Sequence, residues 1–438
     1  MRGTSAPASG AGRMAVTGGA VMVAATLTNG LAYLVPMLGA RHLTAADLGA
    51  MATVQALAAI AGVAGAGLQT AVAVHRARHP HAPTARVTIS TAAVTAGVLV
   101  AAIPLIVTSL HLPVEVVALL VGMTPPVVLA ARWLGELQGD QRFLRLALGM
   151  GVLAIGRYGG VIGGLALGAG LVGSLLTGLV CCYVALPILR LVAGPAAPVT
   201  DTGRPAEGSA SGGSTLGLRQ VVTASSATLA MLVASYADLI LARQLLTPAE
   251  SGAYSVGTVL TKGALWAPQV VTVLALPRMA RQDGRTRRAA WAVVGACGAV
   301  LVITSALAGG LAFRFAGGQD YATLGRYAPV FAATGACYAL AFVLVNAQIA
   351  SGARWPSVPL WVAAGGLVLV AVFVAPHTFA GIMWTATGTA AAAALALAIV
   401  VRVTTTRRSP SAGPVPLPVG PPDLAGQVSR FPAGTVPN

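Results

Sequence analysis

Twelve long apolar stretches, separated by short polar segments, occupy most of this 438-residue chain. A helix crossing the hydrocarbon core of a bilayer needs about 20 mostly apolar residues. The stretches at 14–38, 49–74, 87–110, 114–137, 146–167, 171–193, 219–242, 249–277, 289–312, 327–350, 356–375 and 379–401 meet or approach that length. In lipid every backbone polar group must be satisfied internally, so runs of this kind are helices. The expected fold is therefore all-α and polytopic, with about twelve transmembrane helices. The fifth and sixth are separated only by Gly168-Ala169-Gly170. Composition agrees: 56% of residues are hydrophobic and 9% charged, against roughly a quarter charged in a soluble domain.

The formal net charge is +16, which raises the question of nucleic acid. The cations, however, fall in short loops between apolar stretches, where they orient a membrane protein. Nucleic acid is therefore excluded as a partner. The four cysteines, Cys181, Cys182, Cys297 and Cys337, all lie inside apolar stretches. None sits in a CxxC or Cys/His spacing, so they are read as small packing residues, with no metal site and no cofactor.

Nearly all loop cations fall on one side. That side holds Arg2, Arg13, Arg76, Arg86, Arg142, Arg204, Arg285, Arg354 and Arg408 among others, and the opposite side only Arg41, Arg243, Arg314 and Arg326. The bias puts both termini in the cytoplasm and the chain in the cell's cytoplasmic membrane as a multi-pass protein. Trp133, Trp291 and Trp355 fall at cytoplasmic helix ends, as interface anchors do. The expected organisation is a disordered N-terminus (1–13), a six-helix bundle (14–193), a Gly/Ser/Pro-rich cytoplasmic linker (194–218), a second six-helix bundle (219–403) and a disordered tail (404–438).

The halves share a motif. Leu43–Ala50 reads LTAADLGA and Leu246–Ala253 reads LTPAESGA, each opening the second helix of its half. Thr44 and Thr247 are placed to N-cap those helices. Asp47 and Glu250, three residues on, complete a capping box and face the positive helix end. Pro248 takes the first helical position, where a missing N–H costs little. These residues read as caps, not catalysts. A duplication of six spans is even, so both halves face the same way, as in transporters built from parallel repeats, whose substrate sites lie at the repeat interface.

Two stretches resemble a known family. Leu38–Val74 contains R-x-L-T-x-A-D-x-G and a Gly/Ala-rich helix ending GAGLQTAVAV. Tyr236–Arg281 contains YADLILARQLLTPAESGAY and then PQVVTVLALPRMA. With Asp238, the L-T-P-x-E-x-G-x-Y turn and Pro277, the chain resembles the polysaccharide-transporter branch of the multidrug/oligosaccharidyl-lipid/polysaccharide exporter (MOP, MATE-like) superfamily, the group of Wzx-type flippases. The resemblance implies two six-helix bundles forming a V around a central cavity. It also implies alternating-access export of a lipid-linked oligosaccharide or polysaccharide precursor. The partners it implies are that lipid-linked sugar, membrane lipids and envelope glycosyltransferases or a polymerase.

An ionisable group at bilayer depth is costly and marks a functional site by default. Arg157 lies roughly 18 Å along the fifth stretch and Lys262, the sole lysine, roughly 20 Å along the eighth, at 1.5 Å per residue. One cation per half near the midplane suits a phosphate in transit, with Asn29 contacting sugar hydroxyls and Thr26 and Thr28 beside it. The alternative for Lys262 is a structural pair with Asp238. Asp238, one turn from the end of the seventh stretch, is assigned to coupling or gating. Pro36 and Pro268 are candidate hinges, because an internal proline removes a helix hydrogen bond.

Two other readings compete. A cation-coupled multidrug exporter of the same superfamily would need acids in the cavity, and the first half has none at depth. A membrane glycosyltransferase or polymerase would place paired acids on outer loops. Those loops hold Asp47, Glu115, Glu250 and Asp320, two of which are caps. No Walker A motif is present. A transporter is preferred to an enzyme or a transport-inactive envelope scaffold.

Overall fold

A computed structural model describes residues 8–78, 83–194, 218–279, 284–350 and 356–407. Side chains are described for these residues other than 8–17, 78, 218–220, 223, 224, 266–279, 284–290, 347, 349, 350 and 403–407. The described chain is helical throughout apart from short connections. The first half comprises α1 (Ala8–His42), α2 (Ala45–Arg78), α3 (Ala85–Leu110), α4 (Val114–Gly139), α5 (Phe143–Ala166) and α6 (Gly170–Ala193). The second comprises α7 (Leu218–Leu245), α8 (Pro248–Met279), α9 (Gly284–Gly317), α10 (Ala328–Ala350), α11 (Val358–Phe373) and α12 (Phe379–Arg407). Each of the twelve expected stretches forms one helix.

Ten of the helices are long and apolar enough, over their described residues, to cross a membrane. Of the other two, α11 is a shorter apolar helix and α8 loses its described side chains after Leu265. The chain is a multi-pass membrane protein. The connection between α5 and α6 is as short as the sequence suggests, and it works because Gly168 and Gly170 take left-handed φ values of 70° and 69°, which a side chain would resist.

Several expected boundaries shift. Helix α1 begins at Ala8, inside the segment expected to be disordered, because no proline or polar turn interrupts the chain between Pro7 and Pro36. At the other end α12 continues to Arg407, past the expected limit at 403. The linker residues 195–217, Arg354, Trp355 and the tail from 408 lie outside the described residues.

The packing pattern repeats. In the first half α1 packs on α5, α2 on α4, α3 on α4, α4 on α6 and α5 on α6. In the second, α7 packs on α11, α8 on α10, α9 on α10, α10 on α12 and α11 on α12. Adding six to each helix number of the first set gives the second, so the 6+6 duplication read from one short motif extends to these main packing contacts. One apolar core fills the first bundle around Val54, Leu120, Val161 and Leu175. Another fills the second around Leu265, Tyr338, Leu344 and Leu397. A third joins them, with Leu48 and Ala56 of α2 packed among Leu239, Tyr254, Phe313 and Phe331. Helix α2 is the main bridge, lying against both α7 and α8.

Candidate functional site: a cavity between the halves

The inner faces of α1, α2 and α5 meet those of α7 and α8 around a cavity of about 280 Å³. Each helix contributes a stripe at helical spacing. Asn29, Ala32, Tyr33 and Pro36 come from α1; Met51, Ala52, Gln55, Ala59, Gly62 and Val63 from α2; Thr228, Leu232, Tyr236 and Leu239 from α7; and Ser255, Thr258, Val259 and Lys262 from α8. Positions three and four apart share one helix face, so each stripe is a continuous wall.

The contribution of α5 is different. Residues Ile155–Gly159 form a turn of π-helix in mid-span, and Arg157 and Tyr158 on that turn reach the cavity. Such bulges interrupt the regular helix ladder and recur at functional sites. On the opposite side of α5, Gly156, Gly160 and Gly164 recur every fourth residue against α6. A methyl group on Gly156 would lie 2.6 Å from the Ala185 Cβ, and one on Gly160 2.6 Å from the Thr177 carbonyl oxygen. Small residues at this spacing let membrane helices approach closely.

Arg157 and Lys262 thus face one space from opposite halves. The guanidinium of Arg157 stands 5.2 Å from the Tyr158 ring centre. Gly62 of α2 lies beside it, at a distance where a methyl group would be in ordinary contact, 3.8 Å from Arg157 Nη1. Lys262 Nζ lies 3.3 Å above the Tyr236 ring centre, a cation–π contact, and donates to the Ser235 carbonyl. Among the described residues, no carboxylate comes within 4.0 Å of either cation, the only such ion pairs being Arg76–Asp140 and Arg132–Glu136. Lys262 and Asp238, the expected alternative pair, make no contact within 4.0 Å, although their charges still act on each other. Asp238 instead accepts a 3.2 Å hydrogen bond from the Tyr254 hydroxyl. It is buried and does not line the cavity. Tyr254 is held by edge-on contacts with Phe331 and Phe379 at 5.2 and 5.5 Å, which fixes the partner of Asp238.

Of the remaining sequence candidates, Asn29 and Pro36 line the cavity. Pro36 lies within the continuous helix α1. Pro268 lies on α8 outside the residues whose side chains are described. Thr26 and Thr28 do not line the cavity; Thr28 spends its hydroxyl on the Ala24 carbonyl at 2.8 Å. Sequence reasoning missed Tyr33, Gln55, Tyr158 and Tyr236. The Tyr33 hydroxyl is buried with no hydrogen-bond partner among the described residues. The site therefore presents two cations, several aromatic faces and amide groups, and no acid among its lining residues. Such a wall suits an anion that carries hydroxyls or apolar faces.

No family model matches the sequence. No curated protein matches it either. Solved structures do. The chain superimposes on an inward-facing multidrug resistance MATE family transporter of the MOP superfamily with a TM-score of 0.60, covering 88% of this chain and 96% of that one at 13% identity.

The fold is that of the MATE transporters.

A eukaryotic MATE transporter matches with a TM-score of 0.56 at 14% identity, over 88% of this chain and 94% of that one. A MATE protein in complex with MaD5 matches at 0.54 and 14% identity, over 89% and 94%. At these identities the likeness is one of fold. It extends over nearly the whole length of those chains.

Proposed function

We propose that this MATE-like chain is an exporter that moves a lipid-linked oligosaccharide or polysaccharide precursor across the cytoplasmic membrane by alternating access. Both termini are cytoplasmic in this reading, as the arginine bias favours. One observation carries it: Arg157 and Lys262 enter a shared cavity from opposite halves, with no carboxylate within 4.0 Å of either among the described residues. A cation at this depth without a direct ion pair is expensive, and a substrate phosphate or pyrophosphate supplies a direct counter-charge. The guanidinium can take two phosphate oxygens at once, while the ammonium acts as a point charge. Asn29, Gln55 and the tyrosines then contact sugar hydroxyls and ring faces. At about 280 Å³ the cavity is at the small end for ligand pockets. It holds a headgroup, and a larger glycan enters when the halves part at one end. Envelope glycosyltransferases or a polymerase would supply or receive such a substrate.

A second reading is a cation-coupled multidrug exporter; one structural neighbour is named a multidrug resistance transporter. The feature that favours this reading is Asp238, a buried carboxylate that accepts the Tyr254 hydroxyl. The two readings separate in proteoliposomes. Our reading expects movement of a fluorescent polyprenyl-pyrophosphate sugar and none of a lipophilic cationic dye. Dye export without movement of the anionic lipid overturns it.

A further inference from the structure

A second cavity, of about 360 Å³, lies in the first half at the arginine-rich end, far along α2 from the central one. Its walls come from the last turns of α2, α4 and α6 and from the connection between α4 and α5. Arg76, Arg132, Arg142 and Arg190 line it together with Glu136 and Asp140. Both acids are engaged: Arg76 Nε lies 3.0 Å from Asp140 Oδ1, and Arg132 Nε 2.9 Å from Glu136 Oε1, which also accepts the Thr84 hydroxyl at 2.6 Å.

The charge beyond those pairs comes from α5 and α6. Arg145 donates to the Ala193 carbonyl at 3.4 Å, as Arg142 does at 3.1 Å. Those bonds gather the guanidinium groups around the C-terminus of α6 beside Gly194, which lines the cavity. Arg190 is exposed at its rim. Among the described residues neither Arg145 nor Arg190 has a carboxylate within 4.0 Å.

The surroundings identify the anion. Leu144 and Leu148 flank Arg145 on α5, and Ile188 and Leu191 flank Arg190 on α6; these apolar side chains are 53%, 62%, 44% and 80% exposed. Trp133, an interface-type aromatic, lines the same cavity. Cations above an exposed apolar strip match a phosphate joined to acyl chains, and basic pockets at this depth bind anionic headgroups.

We infer that this pocket is a binding site for an anionic glycerophospholipid, with its phosphate held by Arg190 at the rim and by Arg145, which lies outside the pocket lining but beside Gly194 of that lining, and its chains along the outer faces of α5 and α6. It is separate from the transport cavity, so it concerns the lipid that surrounds the protein and not its cargo.

The test is lipid retention by the full chain, read by native mass spectrometry and by thermal stabilisation in detergent. Phosphatidylglycerol should be retained and should raise Tm; phosphatidylcholine should do neither. Arg190→Gln and Arg145→Gln should each weaken retention roughly fivefold, the effect of about one surface cation on an anionic membrane. Arg41→Gln, at the opposite end, should leave it unchanged. Equal retention of the two lipids, or undiminished retention in the double variant, overturns the site. Displacement of phosphatidylglycerol by millimolar inorganic phosphate overturns the lipid assignment in favour of a free anion. The substituted arginines are exposed and far from the central cavity, so lipid retention can be lost while transport of the proposed cargo persists.

Discussion

Gly49 and Gly252, the equivalent glycines of the two repeat turns, meet across the junction between the halves. A methyl group on Gly49 would lie 3.2 Å from the Gly252 amide nitrogen and 3.0 Å from the Ser251 hydroxyl. One on Gly252 would overlap the Ala45 carbonyl oxygen. The motif that reveals the duplication is therefore also one of the places where the duplicated halves touch.

This contact lies beside the Leu48 and Ser255 end of the central cavity, the end that the proposed orientation puts outside. Gly252→Leu should force the turns apart, since its obstacle is backbone and cannot rotate away; overpacking of this kind costs about 1–3 kcal/mol. In a cysteine-free background with Gln55→Cys as the cavity probe, the substitution should raise labelling by a membrane-impermeant maleimide added from outside. An unchanged labelling rate would mean the glycine contact does not hold this end shut.

Arg243 reinforces the same end. This buried residue of the second half donates to three carbonyls of the first: Leu110 at 3.1 Å, Ala46 at 3.3 Å and His111 at 3.2 Å. Arg243→Ala leaves those acceptors short of a donor and should lower stability by about 1–3 kcal/mol. Arg243→Lys should recover only part, because an ammonium lacks the planar fork. Denaturation in mild detergent checks both, and an unchanged midpoint for the alanine variant would refute the latch.

The capping reading of the turns has its hydrogen bonds. The Thr44 oxygen accepts the Asp47 amide at 3.2 Å while its hydroxyl donates to Asp47 Oδ2 at 2.9 Å. Glu250 Oε2 accepts both the Thr247 hydroxyl at 2.8 Å and the Thr247 amide at 3.3 Å. Thr44→Ala and Thr247→Ala should each lower stability by about 1 kcal/mol, with transport per folded molecule retained. Thermal melts and transport normalised to folded protein check this; a stable variant without transport would give the turns a direct role.

The helices and their order were legible because lipid demands long apolar runs, and the duplication because an eight-residue motif, identical at five positions, recurs in place. Arg157 and Lys262 stood out as charges in apolar sequence. Tyr33, Gln55, Tyr158 and Tyr236 did not, since an aromatic or amide on a membrane helix serves packing as readily as a cavity. The π-turn at Ile155–Gly159 has no signal beyond its glycines. The hydrogen-bond partner of Asp238 was not legible either: sequence offers Lys262 as the obvious counter-charge, while the fold adds the Tyr254 hydroxyl, held by its aromatic neighbours. The contact of the turns depends on how the bundles dock, which no local pattern encodes.

The central claim is that Arg157 and Lys262 carry an anionic cargo through the cavity. The most direct measurement is flipping of a lipid-linked sugar by reconstituted protein, normalised to folded, inserted molecules. Arg157→Gln and Lys262→Gln should each slow flipping by roughly tenfold or more, as expected for loss of a charge-assisted contact of about 1.5–3 kcal/mol. Lys262→Arg should keep part of the rate. Normal flipping by both neutral variants would contradict the account and leave the two cations as structural groups.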